Sequence, residues 1–282
     1  MSPPQAALKD LARRFARNRS ALVGLAILAA VLFLAAAAPL LYPDTPFALA
    51  GKPVSPPFGK FLLGTDMLGR DVAAGIAHGA KTSLLIGLVS TAVAVAFGTL
   101  AGGLAGYYGG RIDALRMRIT EIFQTIPSFI FAIVLVAVMS PSIASTVIAI
   151  SVVSWPGVAR LARGEFLSMR RREYVQSCIS LGMGDARIMF TQILPNCLSP
   201  LVVTASLLVA TAILIESGLA FLGLGDPNVM SWGFQVGAGR TVLRTAWWIC
   251  TFPGFAILLT VLAINLVGES LNDALNPRLR NR

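Results

Sequence analysis

The chain has 282 residues, 56% of them hydrophobic and only 13% charged, with a mean hydropathy of +0.76. That balance excludes an ordinary soluble domain and indicates a polytopic membrane protein. A formal net charge of +10 does not indicate nucleic-acid binding, because the basic residues are spread between apolar segments and not gathered on one domain.

In chain order, residues 8–19 come first. Leu8, Leu11, Ala12 and Phe15 share a helical face while Lys9, Arg13, Arg14 and Arg17 crowd the rest, the pattern of an interfacial helix held against anionic lipid. Residues 1–20 are therefore expected to form a cytoplasmic amphipathic helix. Ala21–Tyr42 runs 22 residues without a charge, which predicts the first transmembrane helix. The small residues Ala35–Ala38 suggest a cleaved signal peptide, but the run exceeds a signal core of about 7 to 15 residues. Residues 43–81 are the first external, periplasmic segment, and Pro43, Pro46, Pro53, Pro56 and Pro57 bar a long helix at its start. Farther on, Thr65 or Asp66 is read as a helix cap, with Asp66 and Arg70 as an acid-before-base pair on that helix. Gly75 and Ala80-Lys81-Thr82 come near a phosphate-binding loop. They fail it because Ala80 stands where glycine is needed and no strand precedes.

Thr82–Gly110 holds 29 uncharged residues and predicts a second span at about 82–106. In it Gly98, Gly102, Gly103 and Gly106 permit close helix approach. Arg111, Asp113, Arg116 and Arg118 are expected in a short polar turn. Ile122–Ala159 has 38 residues without a charge, too many for one crossing, and Ser140-Pro141-Ser142 divides it into a third span (119–139), kinked at Pro127, and a fourth (143–163). A polar loop at 165–197 leads to a fifth span (198–222), a loop with Asp226, Pro227 and Ser231-Trp232-Gly233, a sixth span (246–268) and a cytoplasmic tail (271–282). The expected fold class is all-α, with six transmembrane helices behind an amphipathic N-terminal one. No internal repeat of the kind found in self-contained secondary transporters is visible.

The stretch Arg170–Pro200 is the one long polar passage in the second half. Val175, Ile179 and Gly182 recur at helical spacing beside Gln176 and Ser180, which predicts a short amphipathic helix. Gly182 and Gly184 interrupt it, Asp185 caps a second helix through Ile188 and Phe190, and Pro195 ends or kinks that helix. Two readings fit the chemistry: a docking element for a cytoplasmic motor, or a basic loop on anionic lipid. With a cytoplasmic N-terminus, 17 of the 23 Lys and Arg residues fall in inner segments and 6 outside, so the positive-inside rule puts both termini and this stretch in the cytoplasm.

Charges inside the apolar spans are few. Glu216, late in the fifth helix, is read either as a pore group attracting a substrate's cation or as a carboxylate packed against a partner subunit. Glu121, near the start of the third, is read alike. His78 is the only histidine, and without companions no metal site is expected. Cys178, Cys197 and Cys250 lack metal-ligand spacing and imply no disulfide. No nucleophile with a base and no paired carboxylates share one depth, so no catalytic residue is expected.

Several of these stretches together resemble one family. Gln176-Ser177-Cys178, Gly182, Leu194 and Pro195, within a passage opening on Glu173-Tyr174, resemble the EAA loop of binding-protein-dependent ABC importer permeases, although Gln-Ser-Cys replaces the usual Glu-Ala-Ala. Gly64-Thr65-Asp66 and Gly69-Arg70-Asp71, with Gly79-Ala80-Lys81, Ser83-Leu84 and the run Glu216–Gly225, resemble the dipeptide, oligopeptide and nickel branch of those permeases. The resemblance implies a type I ABC importer fold in a bacterial inner membrane, half of a translocation pore, and a helix that docks on an ATP-binding subunit. It implies di- or oligopeptides as cargo, or alternatively nickel or another metal chelate. It further implies a second, homologous permease chain, two ATP-binding subunits that carry the ATP and Mg, and a periplasmic or lipid-anchored substrate-binding protein. This chain itself is expected to bind no cofactor and to be no enzyme.

Overall fold

Asn18 opens the first long helix by accepting the Ser20 amide at 3.0 Å on its side chain, which satisfies one donor of the first turn. The computed structural model describes Phe15 and residues 18–275; the rest of the expected N-terminal amphipathic helix, and Pro277 and Arg278 in the tail, lie outside the described residues. Helix α1 (Arg19–Leu41) is apolar on all sides, at 23 residues long enough to cross a hydrocarbon core. Gly24 lets it lie close to the last helix: a Cβ there would sit 2.9 Å from the Ala263 carbonyl oxygen.

Helix α2 (Val72–Tyr108) has 37 residues and begins ten residues before the expected 82, because Asp71 caps it by accepting the Ala73 amide at 2.8 Å. Lys81 and His78 are carried on this helix beyond the apolar stretch, and a helix with satisfied backbone bonds has no reason to stop where the hydrocarbon does. The glycines read as permitting close approach are the seam between α2 and α5 (Ile143–Arg170). A Cβ on Gly98 would lie 2.8 Å from the Trp155 carbonyl oxygen, and one on Gly106 would lie 2.5 Å from that of Arg163.

Two expectations fail between them. The four charges after Gly110 do not form a turn; they stand on a 16-residue helix, α3 (Gly110–Thr125), where Asp113 grips Arg163 of α5 through two carboxylate–guanidinium contacts. The third span is also not one kinked helix. It breaks by 84° between α3 and the 12-residue α4 (Ser128–Met139). Pro127 explains the break: it lacks an N–H, and it drives Ile126 to the extended φ −93°, ψ 130°. The divider at Ser140–Ser142 behaves as expected, and Ser142 and Ser145 cap α5 reciprocally.

Helix α6 (Glu173–Ser180) is short, and α7 runs from Asp185 to Phe221. Pro195 therefore does not end the second helix of the polar passage. The backbone widens into a π segment at Ile188–Ile193 just before the proline, which absorbs the missing hydrogen bond, and the helix continues as the fifth span. The loop after α7 holds an unexpected helix, α8 (Trp232–Gly239), capped by Ser231. The last helix, α9 (Trp248–Leu275), begins later than 246 and extends beyond 268.

Among the described residues, five helices are long and apolar enough to span a membrane, or six if the bent pair α3–α4 counts as one. Two main cores form. One, around Val72, Ile76, Ile213, Trp232, Trp248 and Ile249, holds the end that carries the 42–71 loop. The other, around Tyr107, Phe166, Val175, Ile188, Ile193 and Leu201, holds the opposite end beneath α6.

Candidate functional site: the α6 helix and its mounting

The α6 helix is attached by one side only. Val175 has no exposed surface and packs with Tyr107, Val158, Phe166, Ile188 and Ile193; Cys178 and Met183 border the same cluster. The sequence pattern paired Val175 with Ile179, but Val175 and Cys178 face inward while Ile179 is exposed. Glu173, Tyr174, Gln176, Ser177 and Ser180 are also exposed, and Leu181 is 84% exposed.

The end of α6 is fixed by backbone chemistry. The Gly182 amide donates to the Ile179 carbonyl at 2.9 Å and the Met183 amide to the Cys178 carbonyl at 3.1 Å, the paired bonds of a Schellman cap. Gly182 takes φ +75°, the left-handed conformation such a cap requires. A Cβ on it would meet nothing within 4 Å, so its surroundings in this chain are open.

The mounting joins α2, α5 and α7. Asp185 does not cap α7, a place held by Gly184; its carboxylate instead accepts the Tyr107 hydroxyl at 2.7 Å. Arg170 lies 5.2 Å over the Tyr107 ring and donates to the Tyr108 carbonyl at 3.3 Å. Gln176 donates to the Arg170 carbonyl at 2.7 Å, and Ser177 to that of Glu173 at 3.0 Å, so both are used locally. Tyr174 contacts the Gln192 carbonyl and Asn196 on α7, one position beyond Pro195. Leu194 borders the Val175 cluster and Pro195 is exposed. Tyr107 is thus central to the mounting, yet no local pattern singles it out, since its partner is 78 positions away.

At the opposite end, Gly64–Asp71 is a compact turn and not the expected helix. The Asp66 carboxylate accepts the amides of Leu68 at 2.8 Å and Arg70 at 2.9 Å, which bends the chain back on itself. Its pairing with Arg70 is a loose 4.0 Å contact across that turn, with the guanidinium stacked on Phe47. Gly64 and Gly69 supply φ +80° and +83°. Thr65, fully buried, donates to the Lys52 carbonyl at 2.7 Å and accepts the Ser55 amide at 2.8 Å, while its carbonyl accepts Trp248 Nε1 at 3.1 Å. The motif ties a 30-residue loop to α9.

Glu216 points into its own bundle, 3% exposed, and so neither lines an open surface nor meets a partner from there. Its Oε1 accepts the Ser231 hydroxyl at 2.7 Å, and Ser231 in turn accepts the Phe234 amide at the start of α8. A Cβ on Gly233 would lie 3.0 Å from Glu216 Oε1 and 2.7 Å from the Ser217 Cα, so α8 is seated tightly against α7. His78 lies 3.0 Å from the Tyr42 carbonyl, and Glu121 stands exposed on α3.

Residues 98–281 match the family described as binding-protein-dependent transport system inner membrane component, and residues 7–55 match the N-terminal transmembrane domain of oligopeptide transport permease C. The chain is 42% identical over 282 residues to the di/tripeptide transport system permease protein DppC of Pseudomonas aeruginosa, covering 97% of this chain and 93% of that protein. It is 38% identical to the dipeptide transport system permease protein DppC of Haemophilus influenzae, covering 98% and 97% respectively. Its fold is similar to a chain of the MetNI methionine ABC transporter solved in inward-facing conformations, with a TM-score of 0.61 at 17% identity over 72% of this chain and 96% of that one.

Proposed function

Because the chain belongs to the family of binding-protein-dependent transport system inner membrane components, we propose that it forms one half of the translocation pore of an ATP-driven importer of di- or oligopeptides. The other half is a second, homologous permease chain. Two separate ATP-binding subunits carry the ATP and Mg, and a periplasmic or lipid-anchored binding protein delivers cargo. The chain lies in a bacterial inner membrane with both termini cytoplasmic. This chain holds no nucleotide and performs no hydrolysis. The peptide assignment draws on the printed functions of relatives that match almost end to end.

The observation that carries the docking role is the one-sided attachment of α6. A short helix anchored by Val175 and showing Ile179 and Leu181 to its surroundings is built to be gripped from outside the chain. On that reading Glu173, Tyr174, Gln176, Ser177 and Cys178 belong to the coupling helix, Gly182 ends it, and Leu194 and Pro195 lie on α7, where Leu194 borders the cluster that holds Val175. The ATP-binding subunits close, α6 moves with them, and α7 carries the motion into the pore.

The test is purification through a tag on this chain from its native membrane, with subunits and bound small molecules identified by mass spectrometry. Recovery of a second permease, two ATPases and a peptide supports the proposal. Recovery of a nickel or other metal chelate moves the cargo to the metal branch. A lone chain that transports unaided overturns the reading. In the same assay Leu181→Asp is expected to lose the ATPases while the permease pair still assembles.

A further inference from the structure

Two polar atoms at the 42–71 end are buried without a partner, Arg70 Nε and Gln235 Oε1. They belong to residues that line the same small void of about 10 Å³, between the Gly64–Asp71 turn and α8, together with Asp66, Asp71, Met230 and Phe234. One atom is a donor and the other an acceptor, and each loses free energy if left unpaired in a dry site. The Gln235 amide cannot turn over to remove the mismatch. Its nitrogen donates to the Val72 carbonyl at 3.1 Å, and a flip would set two oxygens against each other there. Gln235 is 7% exposed and is held from behind by α2, where the missing side chain of Gly75 makes its space: a Cβ there would lie 2.8 Å from the Gln235 Cδ.

We propose that this void is a binding site for a single structural water, which accepts from Arg70 Nε–H, donates to Gln235 Oε1, and gives its second proton to a carboxylate of the turn, Asp66 or Asp71. The chemistry narrows the occupant. An anion would suit Arg70 and repel Gln235 Oε1 and both carboxylates; a bare cation would suit those oxygens and repel the guanidinium. Water both accepts and donates, and a void of about 10 Å³ is near the smallest that holds one such molecule. The loose 4.0 Å contact between Arg70 Nε and Asp66 is accounted for in the same way, since the water spans what the ion pair does not close. The bridge joins the external turn to α8 through three hydrogen bonds and makes the two move as one piece.

Radiolytic footprinting of the assembled, detergent-solubilised transporter tests this, because hydroxyl radicals formed at a bound water oxidise the side chains beside it. Met230 lines the void and is 5% exposed; Met189, also 5% exposed, lies at the other end of the molecule. The expected result is oxidation of Met230 several-fold faster than Met189, falling to the Met189 rate in Gln235→Leu. Equal rates in the unmodified protein overturn the proposal. An experimental map of the complex at a resolution that shows waters decides independently of whether the variant folds: density within hydrogen-bonding distance of both Arg70 Nε and Gln235 Oε1 supports the site, and an empty void or a direct Arg70–Gln235 bond refutes it.

Discussion

Thr65 has no exposed surface and uses its hydroxyl twice, so it cannot be replaced by its isostere without loss. Thr65→Val keeps the shape, strands the Ser55 amide and takes one of two donors from the Lys52 carbonyl, which keeps the Ser55 hydroxyl; we expect a cost of about 1–3 kcal/mol, read as a lower melting temperature of the solubilised chain. Glu216 separates in the same way. Glu216→Gln retains an acceptor for Ser231 and should change stability by less than about 1 kcal/mol, whereas Glu216→Leu leaves the Ser231 hydroxyl without its partner and should cost about 1–3 kcal/mol. Equal melting temperatures for the two variants would show that the Ser231 contact does not hold α8. At this scale the sequence was partly legible. The Gly64–Asp71 string stood out, but its meaning did not: residues that suit a helix start also suit an Asx turn, and contacts with Lys52, Ser55 and Trp248 decide between them. Glu216 stood out as a charge in an apolar run, and only the fold shows that Ser231, fifteen positions away, receives it.

The α6 helix needs an anchor and a stop, and each is one residue. Val175→Ala removes part of the buried anchor and should cost about 1–2 kcal/mol, with ATPase activity no longer tied to transport. Gly182→Ala should cost about 1 kcal/mol through its φ of +75° alone, since the space around it is open; a bulky side chain should add a steric block to whatever docks there. The readouts are ATPase stimulation by cargo and peptide uptake. Unchanged coupling in Val175→Ala would count against α6 as the docking element. The helix itself was legible from its spacing, and so was its glycine stop. Its inward face was only half legible, because eight residues make about two turns, and Ile179 and Cys178 compete for one side on periodicity alone. Of the two outcomes expected at Pro195, an end or a distortion, the helix does not end: the π segment at Ile188–Ile193 distorts it just ahead of the proline and it runs on.

Across the whole molecule, hydropathy located the long spans, because lipid imposes length and apolarity on any segment that crosses it. It missed what happens past the hydrocarbon, where α2 starts early, α8 appears within a loop, and α3 turns by 84° from α4. Those features are set by caps, a proline and tertiary contacts, none of which alters hydropathy. The proposed orientation gives a direct test in chains whose native Cys178, Cys197 and Cys250 have been replaced. A cysteine at Leu181, 84% exposed, should react with an impermeant maleimide only in inside-out vesicles, and one at Phe58, 75% exposed, only in intact spheroplasts. The reverse pattern would invert the molecule and remove the docking role.

An α-helix turns about 100° and rises about 1.5 Å with each residue, so the angular setting of anything attached to its end is a matter of count. The π segment at Ile188–Ile193 holds one residue more than the regular count allows, between the membrane part of α7 and Asp185, whose carboxylate holds Tyr107 in the cluster where Val175 is anchored. Deleting Gln192 would return that stretch to α geometry. Asp185 would then swing by about 100° around the α7 axis, away from Tyr107, and Val175 would leave its pocket with it. The compass direction in which the chain offers Leu181 is therefore encoded by a count, one residue more than an α-helix would hold there.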